Sequence, residues 1–339
     1  MKRQAALFTI ALALGTTMLV PRTDAQAPAT NAAGLSFTTI DVPFSGVLAT
    51  QAIGINNRGQ IVGLYTDSTG LHGFVDDNGR FDAINVPIPG AIGTQLNGIN
   101  NRGQIVGNYI TSGGLEQGFL DDRGAFSSIV APFPGTDQTL AFKINDKGQI
   151  VGIYHNIVTG AHGFVDDNGK FSPIDVPFSG ARETSALGIN NRGTIVGIYS
   201  DSTGSHGFVD DNGKFSPIDV PFSGARDTAP RGINDRGTIV GIYRDSTGSH
   251  GFVDDNGKFS PIDVPFSGAH DTSPLGINNR DQIVGAYVDA GGIHGFLAGP
   301  CFAQGMPVLR LDDDGNPVFL RVRCKDDDPD QEHGEFSER

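Results

Sequence analysis

The chain has 339 residues, is 38% hydrophobic, and carries 48 Gly, 22 Phe, no Trp and a net charge of −14. It is too apolar for a disordered chain and too poor in long apolar runs for a multi-pass membrane protein. Its glycines follow no three-residue period, which excludes collagen, and its acidic balance speaks against sequence-independent nucleic-acid binding.

At the N-terminus, Lys2 and Arg3 precede a largely apolar stretch from Ala5 to Val20, followed by small residues at Thr23, Ala25 and Ala27. That order predicts a secretory signal peptide over residues 1–25; the stretch falls short of the roughly 20 residues a bilayer span needs. The alternative is an uncleaved anchor. Cleavage is expected after Ala25, because a cut after Ala27 would place Pro28 beside the scissile bond. The mature chain is then secreted, has no stable membrane insertion, and holds 21 bases against 37 acids, a net −16. Residues 26–36 read as a linker.

From there a repeat dominates. The segment Gly-Ile-Asn, or Lys-Ile-Asn in its third copy, places its Asn at 56, 100, 145, 190, 234 and 278, at intervals of 44, 45, 45, 44 and 44. A period of this length means a solenoid, a propeller or an array. In the fourth copy, β-like pieces run from Thr184 to Asn190, Thr194 to Tyr199, Ser205 to Val209 and Lys214 to Val220. They are separated by Asn190-Asn191-Arg192-Gly193, Asp201-Ser202-Thr203-Gly204 and Asp210-Asp211-Asn212-Gly213. Asn-Gly between β-formers is a hairpin signal, and Pro217, lacking an N–H, assigns the fourth strand to an outer edge.

The chain ends choose between a stack and a ring. A fourth-strand sequence, residues 37–43, precedes the first Gly-Ile-Asn, and the last copy stops at a third strand, residues 294–297. An open solenoid would need caps instead, whereas a ring removes the edges by pairing these two segments. The sequence therefore predicts an all-β, six-bladed β-propeller of four-stranded antiparallel blades over residues 37–297, with the N-terminal strand completing the last blade.

Beyond it, residues 298–324 read as a hairpin extension and residues 325–339 as an acidic, disordered tail. Cys301 and Cys324 form a plausible disulfide in an exported chain, worth about 3–4 kcal/mol in the chain-entropy model; two free thiols are the alternative. No metal-ligand spacing occurs, and neither a metal nor a cofactor is expected.

Most recurring residues read as scaffold. Tyr65, Tyr109, Tyr154, Tyr199, Tyr243 and Tyr287 occupy one position and are expected to pack on or between blades, with sugar stacking as the rarer alternative. Asn56, Asn100, Asn145, Asn190, Asn234 and Asn278 mark the innermost strand. His72, His162, His206, His250 and His294 read as hydrogen-bonding residues, and Gln117 fills the same place in the second repeat. The Thr series from Thr50 to Thr272 is expected to satisfy backbone groups, and Phe44 and its counterparts to wedge between blades.

Departures from the repeat are better functional candidates. Arg182-Glu183, Arg226-Asp227 and His270-Asp271 enter the last three inner strands, where earlier repeats have Leu48-Ala49, Ile92-Gly93 and Asp137-Gln138. Together with Arg231, and with Lys143 as a second unique cation, they form a candidate ligand-binding sector at the channel mouth.

The combined motif Gly-Ile-Asn-x-x-Gly-x-Ile-Val-Gly-x-Tyr, then His-Gly-Phe, then Phe-x-x-Ile-Asp-Val-Pro resembles the bacterial extracellular HAF repeats, over about residues 37–297. The resemblance implies an exported repeat protein with a propeller-like fold and carries over no catalytic residue. The leading expectation is a secreted, non-enzymatic binding or scaffold module for an extracellular or envelope protein or glycan, not for nucleic acid. The alternatives are a propeller hydrolase or lyase acting on a carbohydrate or lactone, using Glu183, Asp227 or Asp271 as base with Arg231 or His270 beside it, and a purely architectural surface protein.

Overall fold

The computed structural model describes residues 29–30, 34–300, 307–311 and 317–321. The expected signal peptide, Cys301, Cys324 and the acidic tail lie outside the described residues. Those described form strands and turns, an all-β propeller of four-stranded antiparallel blades.

Each blade follows from the turn chemistry of its repeat. In the fourth, Arg182–Ile189, Thr194–Ser200, Ser205–Asp211 and Lys214–Ile218 pair in sequence order. The third strand runs further than the sequence suggests. Both Asp210 and Asp211 belong to it, and Asp211 pairs with Lys214 across a two-residue turn. Asn212 and Gly213 take φ of 53° and 91°, the left-handed pair that a type I′ hairpin demands. Pro217 sits opposite Phe208 on the outermost strand, where no further strand needs its missing N–H.

Three more sheets repeat this order, beginning with the strands Ala91–Ile99, Thr136–Ile144 and Arg226–Ile233. The remaining strands join one nine-stranded sheet. One part of it is Ala49–Ile55, Gln60–Asp67, Gly70–Asp77 and Arg80–Ile84. The other is His270–Ile277, Ile283–Asp289, Gly292–Pro300, Leu35–Ile40 and the two-residue strand Ala29–Thr30. A single parallel bridge, Ile293 to Ala49, connects the two parts. The N-terminal strand pairs from Leu35 opposite Pro300 to Ile40 opposite Gly295. Residues 298–300 and 35–36, assigned above to the extension and the linker, are thus part of this sheet, and Phe37 is fully buried there. Separately, Pro307–Leu311 pairs with Pro317–Arg321.

The core lies between consecutive blades. Val151 of the third repeat packs with Ile174, Ala186, Ile195, Tyr199 and Phe208, and equivalent clusters recur around the molecule. Gly197 is required here: a Cβ would lie 2.0 Å from the Ser185 carbonyl oxygen and 2.8 Å from the Phe208 ring.

At the strand ends nearest the axis, each Gly-Ile-Asn asparagine serves two blades. Asn190 Oδ1 accepts from the N–H groups of Arg192 and Thr194, closing its own turn, while its Nδ2 donates to the carbonyl of Asn234. The same donation links Asn56 to Asn100, Asn100 to Asn145, Asn145 to Asn190, Asn234 to Asn278, and Asn278 back to Asn56. All six are buried. Asn190→Ala removes one link and leaves buried backbone groups without partners, which costs about 1–3 kcal/mol. Urea denaturation should show that loss, whereas Asn191→Ala, on a less buried side chain, should cost less.

Candidate functional site

The Tyr, His, Thr and Phe series are consumed by the scaffold. Thr184 Oγ1 accepts from the Val176 N–H, and the other five Thr repeat this contact between an inner strand and the connection leading into it. Phe178 from one blade packs on Tyr199 of the next, with ring centroids 5.1 Å apart, and Phe44, Phe133, Phe222 and Phe266 do likewise. All six Tyr are buried, so their rings offer no open face to a sugar.

In five repeats a histidine ties the second-to-third-strand turn to the residue just past the fourth strand. His206 bonds Thr203 Oγ1 through Nε2 and Asp219 through Nδ1, and lies against Tyr199. Asp201 accepts from the Thr203 hydroxyl and N–H, and these bonds hold its carboxyl below the usual range. Gln117 replaces the imidazole by donating to the Ile129 carbonyl. In the last repeat the partners come from both ends of the chain. His294 Nδ1 lies 2.9 Å from Asp41 Oδ2 and its Nε2 3.1 Å from Asp289 Oδ1, while the Tyr287 hydroxyl is 2.9 Å from Thr39 Oγ1.

The candidate residues divide between two places. Arg182, Glu183, Arg226, Asp227, His270 and Asp271 enter three successive inner strands, at the end of the blades that carries the second-to-third-strand turns. They do not converge. Asp271 Oδ1 accepts from the Ser249 N–H at 2.9 Å and Asp227 Oδ1 from the Ser205 N–H at 3.4 Å, each securing a turn of the preceding blade. Arg226 donates to the Asp245 carbonyl, and His270 faces Asp271 at 3.7 Å. Glu183, Asp227 and Asp271 have φ of 44°, 53° and 52°, a conformation that Asp tolerates better than most residues.

Arg231 lies elsewhere, next to Gly232 of the bore and close enough to Lys143 for its charge to act there. Lys143 Nζ reaches across from its own inner strand to donate to the carbonyls of Ile53, at 2.8 Å, and Asn97, at 2.6 Å. Burial, then the nearby Arg231 charge, pushes its ammonium down to about 7. Burial, then Arg244, pushes the Arg231 guanidinium down to about 10, so it stays charged at neutral pH. Both side chains are half-buried.

One feature escaped the sequence, and a second was read from it only in part. The residue after each asparagine forms a second circuit: Asn57 N–H donates to Asn101 Oδ1, Asn101 to Asp146, Asp146 to Asn191, Asn191 to Asp235, Asp235 to Asn279, and Asn279 to Asn57. It rims one mouth of the channel, an opening of about 70 Å³. The carboxylates Asp146 and Asp235 in otherwise Asn positions were the available signal. The second is an apolar sector. The exposed large hydrophobics among the described residues are Leu48, Ile92, Leu115, Val130, Ile157 and Val158, the last 84% exposed. All six belong to the first three repeats and lie at the same end as the charged sector, because each sits at an inner-strand start, at a second-to-third-strand turn, or just past a fourth strand. Leu48 and Ile92 were visible in the sequence as unlike their charged counterparts; the turn insertions bearing Leu115, Ile157 and Val158 were the unread signal. Among the described residues, no cluster of three His, Cys, Asp or Glu is placed to hold a metal, and no helix is long and apolar enough to cross a membrane.

No protein-family model and no curated protein matches the chain. Among solved structures it is similar to a six-bladed fungal lectin from Aleuria aurantia, at 12% identity and TM-score 0.49 over 75% of this chain and 93% of that one. A gluconolactonase from Xanthomonas campestris matches at 14% identity and TM-score 0.46, over 80% and 95%. The β-propeller domain of a protease from Pyrococcus furiosus matches at 10% identity and TM-score 0.47, over 76% and 94%. Nothing about activity passes from them to this chain.

The His294 pair gives a pH dependence. The hydrogen bond to Asp41, opposed by desolvation and aided by both carboxylate charges, raises the imidazole above its ordinary 6.5. A raised histidine stabilises the fold fully below its unfolded pKa and ceases to do so as pH climbs through the folded one. The difference in melting temperature between the wild type and Asp41→Asn should therefore be largest near about pH 6 and shrink by about pH 8.5.

Proposed function

We propose that the nine-stranded sheet is two blades sharing one bridge, so that the fold is a six-bladed ring closed by Leu35–Ile40. Two features support this: the pairing of that strand with Gly292–Pro300, and the return of both asparagine circuits from the last repeat to the first. If the ring closes in this way, deleting residues 29–41 bares the edge of Gly292–Pro300, and the protein should aggregate or lose its cooperative melt in light scattering and calorimetry.

On this reading the ring belongs with the HAF-repeat proteins it resembles. It is a secreted, non-enzymatic binding module for an extracellular or envelope protein or glycan, engaged through the face that carries both the apolar and the charged sectors. One observation carries the reading: every exposed large hydrophobic among the described residues lies on that face, in consecutive repeats. Apolar side chains concentrated on one side of a soluble domain mark interaction sites, and they suit a protein better than a glycan. A hydrolase or lyase finds less support, because Glu183, Asp227 and Asp271 stand on three separate blades and two of them are committed to neighbouring turns.

The test is a variant carrying Leu48→Ser, Ile92→Ser, Ile157→Ser and Val158→Ser, compared with wild type in capture from solubilised envelope fractions and on a glycan array. The variant should keep its melting temperature and lose capture by about tenfold or more. Unchanged capture would remove this face from consideration, and glycan binding without protein capture would move the partner to the second class.

A further inference from the structure

Two features of the channel remain unused by the scaffold and by the proposed binding face. In five repeats the residue before the inner Ile is Gly; only the third has Lys143. One position earlier, Ile53, Asn97, Phe142, Leu187 and Leu275 are uncharged, and only the fifth repeat has Arg231. Two cations thus stand at positions that are neutral in the other repeats, on the third and fifth inner strands, with the inner strand Arg182–Ile189 between them. Like charges brought together out of bulk water are costly unless something compensates them.

Among the described residues nothing does. Lys143 spends two of its three N–H donors on the carbonyls of Ile53 and Asn97 and keeps the third. Arg231 Nε is wholly buried and has no hydrogen-bond partner among the described residues. Neither cation pairs with a carboxylate among those residues, and the charge that acts on Arg231 is that of another cation, Arg244. A buried unpaired donor is rare in folded proteins and calls for an explanation. The bore beside Lys143 offers about 60 Å³, bounded by Gly188, Gly232 and Gly276 and by the ring of inner Ile. That admits an ion of a few atoms and excludes a sugar or a nucleotide.

We propose that Lys143 and Arg231 form a binding site for one small oxyanion, a carboxylate or phosphate group, held inside the channel. The planar guanidinium and the remaining ammonium N–H supply charge-assisted donors from the fifth and third repeats. Occupancy offsets the repulsion between the two cations. The anion thus stabilises the native ring independently of any partner on the outer face.

The experiment measures the melting temperature of the full mature chain against inorganic phosphate and, separately, acetate, at fixed ionic strength near about pH 6. Arg231→Leu and Lys143→Gly adopt residues that the other repeats already carry at these positions, so both variants should fold. Wild type should gain stability with one or both anions, and each variant should lose that gain. Without added anion, Arg231→Leu should melt at or above the wild type, since it removes an uncompensated charge. The wild-type gain should shrink near about pH 9, where Lys143 has given up its proton. A phosphate response without an acetate response assigns the site to phosphate groups, and the converse to carboxylates. Equal anion responses in wild type and both variants, or none in wild type, would overturn the proposal, while leaving the outer-face reading untouched.

Discussion

Everything in this molecule depends on how one asparagine per repeat is shared between two blades. Its carbonyl oxygen closes the turn at the end of its own inner strand, and its amide reaches the backbone of the next. A strand end near the axis has N–H and C=O groups that no ladder can satisfy, and burying them unpaired would cost more than the contact yields. An amide side chain carries both a donor and an acceptor, so a single residue type answers both needs. The bonds span 44 or 45 residues, and the last spans 222, so the circuit ties together segments that local propensity alone cannot hold.

Once that arrangement is fixed, most of the repeated chemistry is accounted for. Thr binds the connection, Phe wedges against Tyr, and His links its turns through Asp and Thr. These polar groups are largely half-buried and mutually satisfied, which rigidifies the blades and leaves little over for a ligand. Functional capacity then concentrates where the repeat is broken. The breaks fall into two groups: side chains on one outer face, apolar in the first half and charged in the second, and two mutually interacting cations on inner strands.

The architecture was legible to an unusual depth because duplication repeats every signal. Asn212-Gly213 announced its hairpin, Pro217 its edge strand, and the permuted ends the pairing of Ile40 beside Gly295. The misreadings were at boundaries. Asp210 and Asp211 look like turn residues, yet their backbones continue the ladder because only two residues are needed to reverse it. Residues 298–300 read as the start of the extension, but the N-terminal strand offers them a partner. The candidate site was read less well. Asp227 and Asp271 stood out as departures, but their carboxylates secure the preceding blade, a contact between residues 22 apart that no local pattern reveals. Arg231 and Lys143 stood out as cations near inner strands, but no local pattern reveals that the half-buried Arg231 lies close enough for its charge to act on Lys143.

The sequence by itself determined the period, the strand order within each repeat, the outward position of the proline-bearing strand and which residues break the pattern, because each of these is set by turn geometry and alternation over a few residues. Only the tertiary structure decided which of those breaks meet. Lys143 and Arg231 are 88 positions apart along the chain and approach because their blades face one axis, whereas Glu183, Asp227 and Asp271 recur at the repeat interval and are held apart for the same reason. Rotation about a common axis carries equivalent positions to equivalent distances from the centre, so only side chains near that axis can converge.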